Sequence, residues 1–195
     1  MVNKIIDWVV QRPVILDFVR RILENNHQGE KEVISQELPE RQSQIVLDLG
    51  CGTGVFSPWF GPGYVGIDIS QPYINYARWR YPSKQFQVMD AGKIQFPAQS
   101  FDAIWVNGVL HHLNDTAVSL VVAEMKRLLK PGGKAVVMED IPAQQIISRF
   151  VRSLDAGEHI RTPQGYRNLL AEQFLVQKEY PLRTGVCDYQ VFILA

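Results

Sequence analysis

Apolar positions along the chain follow two rhythms in succession. Ile15, Leu16, Val19, Ile22 and Leu23 recur at helical spacing, after a shorter stripe of Ile5, Ile6, Val9 and Val10 that breaks at Arg12-Pro13. Residues 25–29 read as a stop, 31–38 as a further helix, and 39–44 as a polar linker. Beyond the linker the apolar runs shorten to strand length, at residues 45–49, 64–69, 86–89, 101–106 and 135–138. Ser70 caps a helix running through Trp79, with Pro72 in its first turn. Asn114-Asp115-Thr116 opens another helix, whose stripe is Val118, Val121, Val122, Met125 and Leu129 and which Lys130-Pro131-Gly132-Gly133 ends.

The tail departs from this alternation: residues 164–174 read as helix, and 175–180 and 189–194 as strands. The link between those two strands is too short for a crossover helix, so they pair antiparallel. The pattern predicts an α/β fold: a Rossmann-like, doubly wound seven-stranded sheet with helices on both faces. It is mostly parallel, with an antiparallel C-terminal hairpin strand. Residues 1–195 are expected to form a single domain, with 1–40 as an N-terminal helical cap and 45–195 as the Rossmann-like core.

Composition adds exclusions. Twenty basic residues balance twenty acidic ones, so no net field draws the chain to nucleic acid or anionic lipid, and nucleic acid is disfavoured as a partner. No run is long and apolar enough to span a bilayer, and the first eight residues lack the apolar core and cleavage site of a secretion signal. No appended recognition domain is expected, and a cytoplasmic setting fits. Cys51 and Cys187 make neither a disulfide framework nor a metal spacing; both read as packing residues, and no metal site is expected.

The chemistry gathers at strand ends. Residues 46–54, Val-Leu-Asp-Leu-Gly-Cys-Gly-Thr-Gly, are a buried strand that carries Asp48 and then breaks into alternating glycines. In a parallel sheet the strand C-termini open on one edge, so this turn, Asp68, Asp90 and Asn107 converge on one crevice, where open α/β sheets bind nucleotides. Asp68 follows Gly50 by about the 20-residue interval that sets a ribose-binding carboxylate behind a glycine turn. Val55 stands where a dinucleotide fingerprint keeps a small residue, and no Gly-Lys-Ser/Thr follows. A nicotinamide reading is thereby weakened, also for want of a Tyr-x-x-x-Lys pair, and a phosphate loop is excluded.

His111 and His112 sit just past the fourth strand: either one takes a proton from an acceptor, or the pair caps the turn and packs. His159 and Arg161, after the loop at residues 155–158, either reach over the same edge or belong to a solvated loop. Asp102 opens a strand at the opposite edge and reads as structural. Arg20-Arg21 read as a solvated face, with binding of an acidic acceptor as the lesser alternative. The stripe of Trp8, Val9, Ile15, Leu16 and Val19 is either packing or a lid over an acceptor pocket.

These motifs resemble the class I S-adenosylmethionine-dependent methyltransferases, particularly the methyltransferase type 11 group. Residues 46–54 match its first motif, Gly66-Ile67-Asp68-Ile69-Ser70 the second, and Met89-Asp90-Ala91 the third. The stretch from Phe101-Asp102-Ala103-Ile104 to Val109-Leu110-His111-His112-Leu113 matches the fourth, and Leu128-Leu129-Lys130-Pro131-Gly132-Gly133 the turn before strand five. The resemblance implies S-adenosyl-L-methionine as cofactor and a role for each matching position. Asp48, Gly50, Cys51 and Gly52 would hold its methionine part and Asp68 the ribose hydroxyls. Ile69 would pack on adenine, Asp90 and Ala91 would meet the adenine edge, and Asn107 and Gly108 would approach the methyl end. The helix after the glycine turn departs from the family, being shortened by Pro58 and Gly61-Pro62-Gly63. The expected activity is methyl transfer to a small-molecule acceptor, and a non-catalytic cofactor-binding regulatory or scaffold protein is the alternative.

Overall fold

The computed structural model describes residues 12–142 and 159–195. The early stripe of Ile5, Ile6, Trp8, Val9 and Val10, and the loop at 155–158, lie outside the described residues. The chain enters through α1 (Pro13–Leu23), whose proline occupies the first turn, where its missing N–H costs nothing. A 3₁₀ turn, Asn25–His27, leads into α2 (Gln28–Glu37). Then come β1 (Val46–Leu49), β2 (Tyr64–Asp68), α3 (Gln71–Arg80), β3 (Gln85–Val88), β4 (Phe101–Asn107), α4 (Asp115–Leu128) and β5 (Leu129–Asp140). The chain closes with α5 (Pro163–Leu170), β6 (Val176–Thr184) and β7 (Cys187–Leu194).

Seven strands form one sheet in the order β3-β2-β1-β4-β5-β7-β6. The five strands from β3 to β5 are parallel, and β7 inserts antiparallel between β5 and β6. Buried strand residues alternate between the two faces and both faces are apolar, so each needs a helical layer. Leu47, Leu49, Ile104, Val106 and Val137 pack with α4 and α5 through Val118, Val122, Met125, Tyr166 and Leu170. Val46, Ala103, Trp105, Val136 and Met138 pack on the other face with Val33 and Ile34 of α2 and Ile74 and Ala77 of α3. Two caps form where the sequence places them: Ser70 accepts from the Tyr73 N–H, and Asn114 from that of Ala117.

Several expectations need correction. The glycine turn is followed not by a short α-helix but only by a 3₁₀ turn, Ser57–Trp59. Phe56 and Phe60, both buried, fill the layer that a helix there would cover. Ile22 is exposed, in line with Val14 and Phe18, so the packing stripe of α1 runs through the half-buried Ile15, Val19 and Leu23 instead. β3 stops at Val88, α5 at Leu170, and β5 and β6 run longer than the apolar runs because sheet pairing recruits polar positions.

Candidate functional site

The turn after β1 is stapled to β2. The N–H groups of Gly50 and Cys51 both donate to the Ile67 carbonyl, at 2.8 and 2.9 Å. Gly50 has φ +73°, and a Cβ there would lie 2.3 Å from Val109, so the turns after β1 and β4 touch. Gly52 also has positive φ, but a Cβ on it would meet nothing within 4 Å, which leaves bare main chain facing outward. Cys51 is buried, and burial pushes its thiol well above its ordinary pKa, which fits packing rather than reactivity.

Asp68 closes β2 and binds this turn. Its Oδ2 accepts from the Gly52 N–H at 2.9 Å and its Oδ1 from the Ser70 N–H at 2.8 Å. A carboxylate has about four acceptor positions; two amides fix its plane and leave the rest for a vicinal diol. Burial raises its pKa above the ordinary value, and the two amide donors oppose that shift. The next residue, Ile69, is 74% exposed, an apolar side chain held at the rim. Asp90 is exposed just past β3 and accepts from the Gly92 N–H at 2.8 Å, beside the half-buried Ala91.

Asn107 ends β4. Its side chain is buried, and among the described residues neither Oδ1 nor Nδ2 has a hydrogen-bond partner. An unsatisfied buried polar group costs about 1–3 kcal/mol. A buried amide with both ends unused, beside the glycine turn, fits a ligand carrying donors and acceptors of its own. Gly108 follows with φ +67°, its N–H on the Met138 carbonyl. Asn107→Leu is expected to raise the melting temperature of the unliganded protein, because it removes a buried amide without partners; a thermal melt checks it.

Asp48 lies inside the sheet layer, where its Oδ2 accepts from the Tyr64 hydroxyl at 2.6 Å. Its pKa is pushed up to about 7, mainly by burial; Tyr64 opposes the shift and the Asp68 charge adds to it. The folded state therefore holds a proton that the unfolded chain gives up near the ordinary carboxylate value. This contribution to stability is fully present below that value and is lost as pH rises through about 7. Asp48→Asn is expected to flatten the fall in urea midpoint between pH 5 and pH 7.5.

Glu139, at the end of β5, was not legible from the sequence as a functional residue. It is fully buried and gathers the chain after β4. Its Oε1 accepts from Val109 N and Leu110 N at 2.9 and 2.8 Å, and its Oε2 from His111 N at 3.2 Å. The His111 Nδ1 lies 3.0 Å from Oε2. His111 is thus buried and engaged by a carboxylate, closer to the packing alternative than to a solvent-facing base. The exposed His112 ring lies tilted against it, with centroids 4.1 Å apart. His159 joins the same loop through its N–H on the His111 carbonyl.

Arg161 reaches over the strand-end edge, as the first of its two readings had it, and is not part of a solvated loop. Its guanidinium donates to the Leu110, Leu113 and His159 carbonyls and to Asp115, and so clamps the turn after β4 from behind. Of the expected solvated face, Arg21 is exposed while the part-buried Arg20 is paired with Glu24 at 2.8 Å. Asp102 is structural, accepting from the Ile45 N–H and from Lys130. A further unanticipated contact joins α1 to the rim: the Thr53 hydroxyl in the glycine turn donates to Asp17. Burial raises the Asp17 pKa, and Thr53, Arg20 and His27 oppose the rise.

Parts of the chain are similar to known methyltransferases. Residues 47–137 match the family model described as a methyltransferase domain. The ubiquinone/menaquinone biosynthesis C-methyltransferase of Desulfotalea psychrophila is 35% identical over 115 residues, 55% of this chain and 46% of that protein. The malonyl-[acyl-carrier protein] O-methyltransferase of Erwinia billingiae is 32% identical over 119 residues, 57% of this chain and 47% of its own length. The chain spans about half the length of these curated relatives. Among solved structures, a SAM-dependent methyltransferase from Archaeoglobus fulgidus superposes with a TM-score of 0.73 at 15% identity, covering 91% of this chain and 98% of that one. That likeness is one of fold. No helix among the described residues is long and apolar enough to cross a membrane.

Proposed function

We propose that this chain is a class I S-adenosylmethionine-dependent methyltransferase, supported by the methyltransferase-domain model that matches residues 47–137, and that it transfers a methyl group from S-adenosylmethionine to a small-molecule acceptor. The observation that carries the reading is the shared edge of Asp68, bare Gly52 and unpartnered Asn107. These three offer a diol acceptor, an open backbone surface and an unused amide, which suit a ribose, a thioether chain and an amino acid end respectively.

The cofactor supplies a methyl group already activated on a sulfonium sulfur. The chain's work is therefore alignment and exclusion of water. Asp68 takes the two ribose hydroxyls, while Ile69 covers one face of the adenine and Asp90 and Ala91 meet its edge. Gly50, Cys51 and Gly52 give close backbone approach to the methionine part, with Asp48 behind them tied to Tyr64. Asn107 and Gly108 stand at the methyl end, and Glu139 holds their loop by fixing Val109, Leu110 and His111. His112 and His159 are kept as the candidates to receive an acceptor proton, since His111 is engaged by Glu139. The two curated relatives methylate carbon and oxygen by their names, so the acceptor atom is left to the experiment.

The test is calorimetry with S-adenosylhomocysteine, followed by a methyl-transfer screen of small-molecule acceptors. Stoichiometric binding with turnover supports the reading. Absence of binding removes it, and binding without turnover favours the regulatory alternative. His112→Ala is expected to leave S-adenosylhomocysteine affinity within twofold of the parent; a large loss would place this histidine in the cofactor pocket.

A further inference from the structure

The corner between α1 and α2 holds three ionisable side chains that methyl transfer does not use. We propose that Glu24, His27 and Glu30 form a binding site for a divalent first-row transition ion, with zinc as the reference ligand.

Glu24 follows α1, His27 ends the 3₁₀ turn, and Glu30 lies in the first turn of α2. All three are buried, at 4%, 3% and 0% exposure. Their facing atoms lie within 4.8 Å of one another, and among the described residues this is the cluster with such geometry. His27 Nδ1 is 2.5 Å from Glu24 Oε2 and 3.6 Å from Glu30 Oε1. None of the three atoms has an aligned hydrogen-bond partner. Three potential ligand atoms that converge without an aligned hydrogen bond among them have the arrangement of ligands around one ion.

The opposite oxygens are already committed. Glu24 Oε1 accepts from Arg20 Nε at 2.8 Å and from the Tyr189 hydroxyl at 3.3 Å. Glu30 Oε2 lies 3.2 Å from Thr184 Oγ1, whose single proton is shared with the Glu24 carbonyl at 2.9 Å. These bonds turn the remaining oxygens toward His27, as the outer hydrogen bonds of metal sites orient their ligands. The His27 ring is set edge-on against Phe56, with centroids 5.4 Å apart.

One imidazole nitrogen and two carboxylate oxygens suit zinc and its neighbours. Zinc takes these atoms at about 2.0–2.2 Å, which puts tetrahedral ligands roughly 3.4 Å apart. Loading then requires His27 Nδ1 and Glu24 Oε2 to part by roughly 1 Å, while the His27–Glu30 pair at 3.6 Å is already near the required spacing. Arg20 offsets one carboxylate, and the other leaves the pocket attractive to a cation.

On one straight helix Glu24 and Glu30 would stand about 9 Å apart along the axis. Three successive left-handed residues, Asn25, Asn26 and His27 with φ of 48°, 57° and 57°, fold them together. That conformation costs energy in L-residues and persists when its surroundings hold it. The sequence spacing therefore gave no metal signal. Through Thr184 and Tyr189 the site also reaches β6 and β7, so a bound ion would pin α1 to the sheet.

The test uses the tag-free full chain, stripped with chelator and titrated with zinc under a competing chelator. We expect one equivalent bound with submicromolar affinity and a rise in melting temperature. Glu30→Gln, which keeps an acceptor for Thr184, and His27→Gln are each expected to weaken binding at least tenfold. A cooperative melt of the metal-free variants shows that they fold. No stoichiometric binding, or affinity unchanged in both variants, overturns the proposal and leaves the three groups sharing a proton. The readout is metal binding, so it stands or falls independently of methyl transfer.

Discussion

Glu139→Ala is expected to lower the melting temperature by roughly 6–20 °C. The variant strands three backbone N–H groups and the His111 ring in a fully buried position, four donors that one carboxylate now satisfies. Removing one partner of such a buried charged network costs about 3–5 kcal/mol. At this chain length each kcal/mol moves the midpoint by about 2–4 °C. Differential scanning calorimetry reads the shift, and a midpoint within 2 °C of the parent would mean that the loop finds other acceptors. Glu139→Gln keeps acceptor capacity and should fall between the two. Because the same carboxylate sets the loop after Asn107 and Gly108, S-adenosylhomocysteine affinity should fall in both variants, and more in the alanine.

Asp68→Ala should weaken S-adenosylhomocysteine binding at least tenfold, a loss of about 1.4 kcal/mol or more. Charge-assisted hydrogen bonds contribute about 1.5–3 kcal/mol, and Asp68 would make two to one ribose. The variant also frees the Gly52 and Ser70 amides, so part of any loss could come from a looser turn. A double-mutant cycle separates the two effects. The parent should prefer S-adenosylhomocysteine over its 2′-deoxy analogue, and Asp68→Ala should erase that preference. If the preference survives, the ribose is held elsewhere; if overall affinity is unchanged, Asp68 does not meet the ligand.

Much of the site was legible along the chain because it is built from local signals. A short apolar run ending in alternating glycines must be a strand entering a tight turn, and the β1–β2 connection then sets Asp68 at the neighbouring strand end. The caps at Ser70 and Asn114 form as read. The antiparallel hairpin followed from a link too short to cross the sheet. The helix expected after the glycine turn was the failure: proline and paired glycines forbid regular helix, and aromatic packing of Phe56 and Phe60 fills the layer instead.

The sequence by itself determined the layered sheet, the edge where its strands end, and the acid, glycines and amide standing there, because periodicity, turns and strand ends are short-range properties of a chain. Only the tertiary structure decided that Asn107 is left without a partner, that Glu139 holds the loop beside it, that Arg161 clamps that loop from behind, and that Asp17 meets Thr53. Each of those contacts joins residues far apart in the chain, and a buried polar group takes its role from whichever donors the packing brings to it. Residue type and local spacing carry no record of that choice.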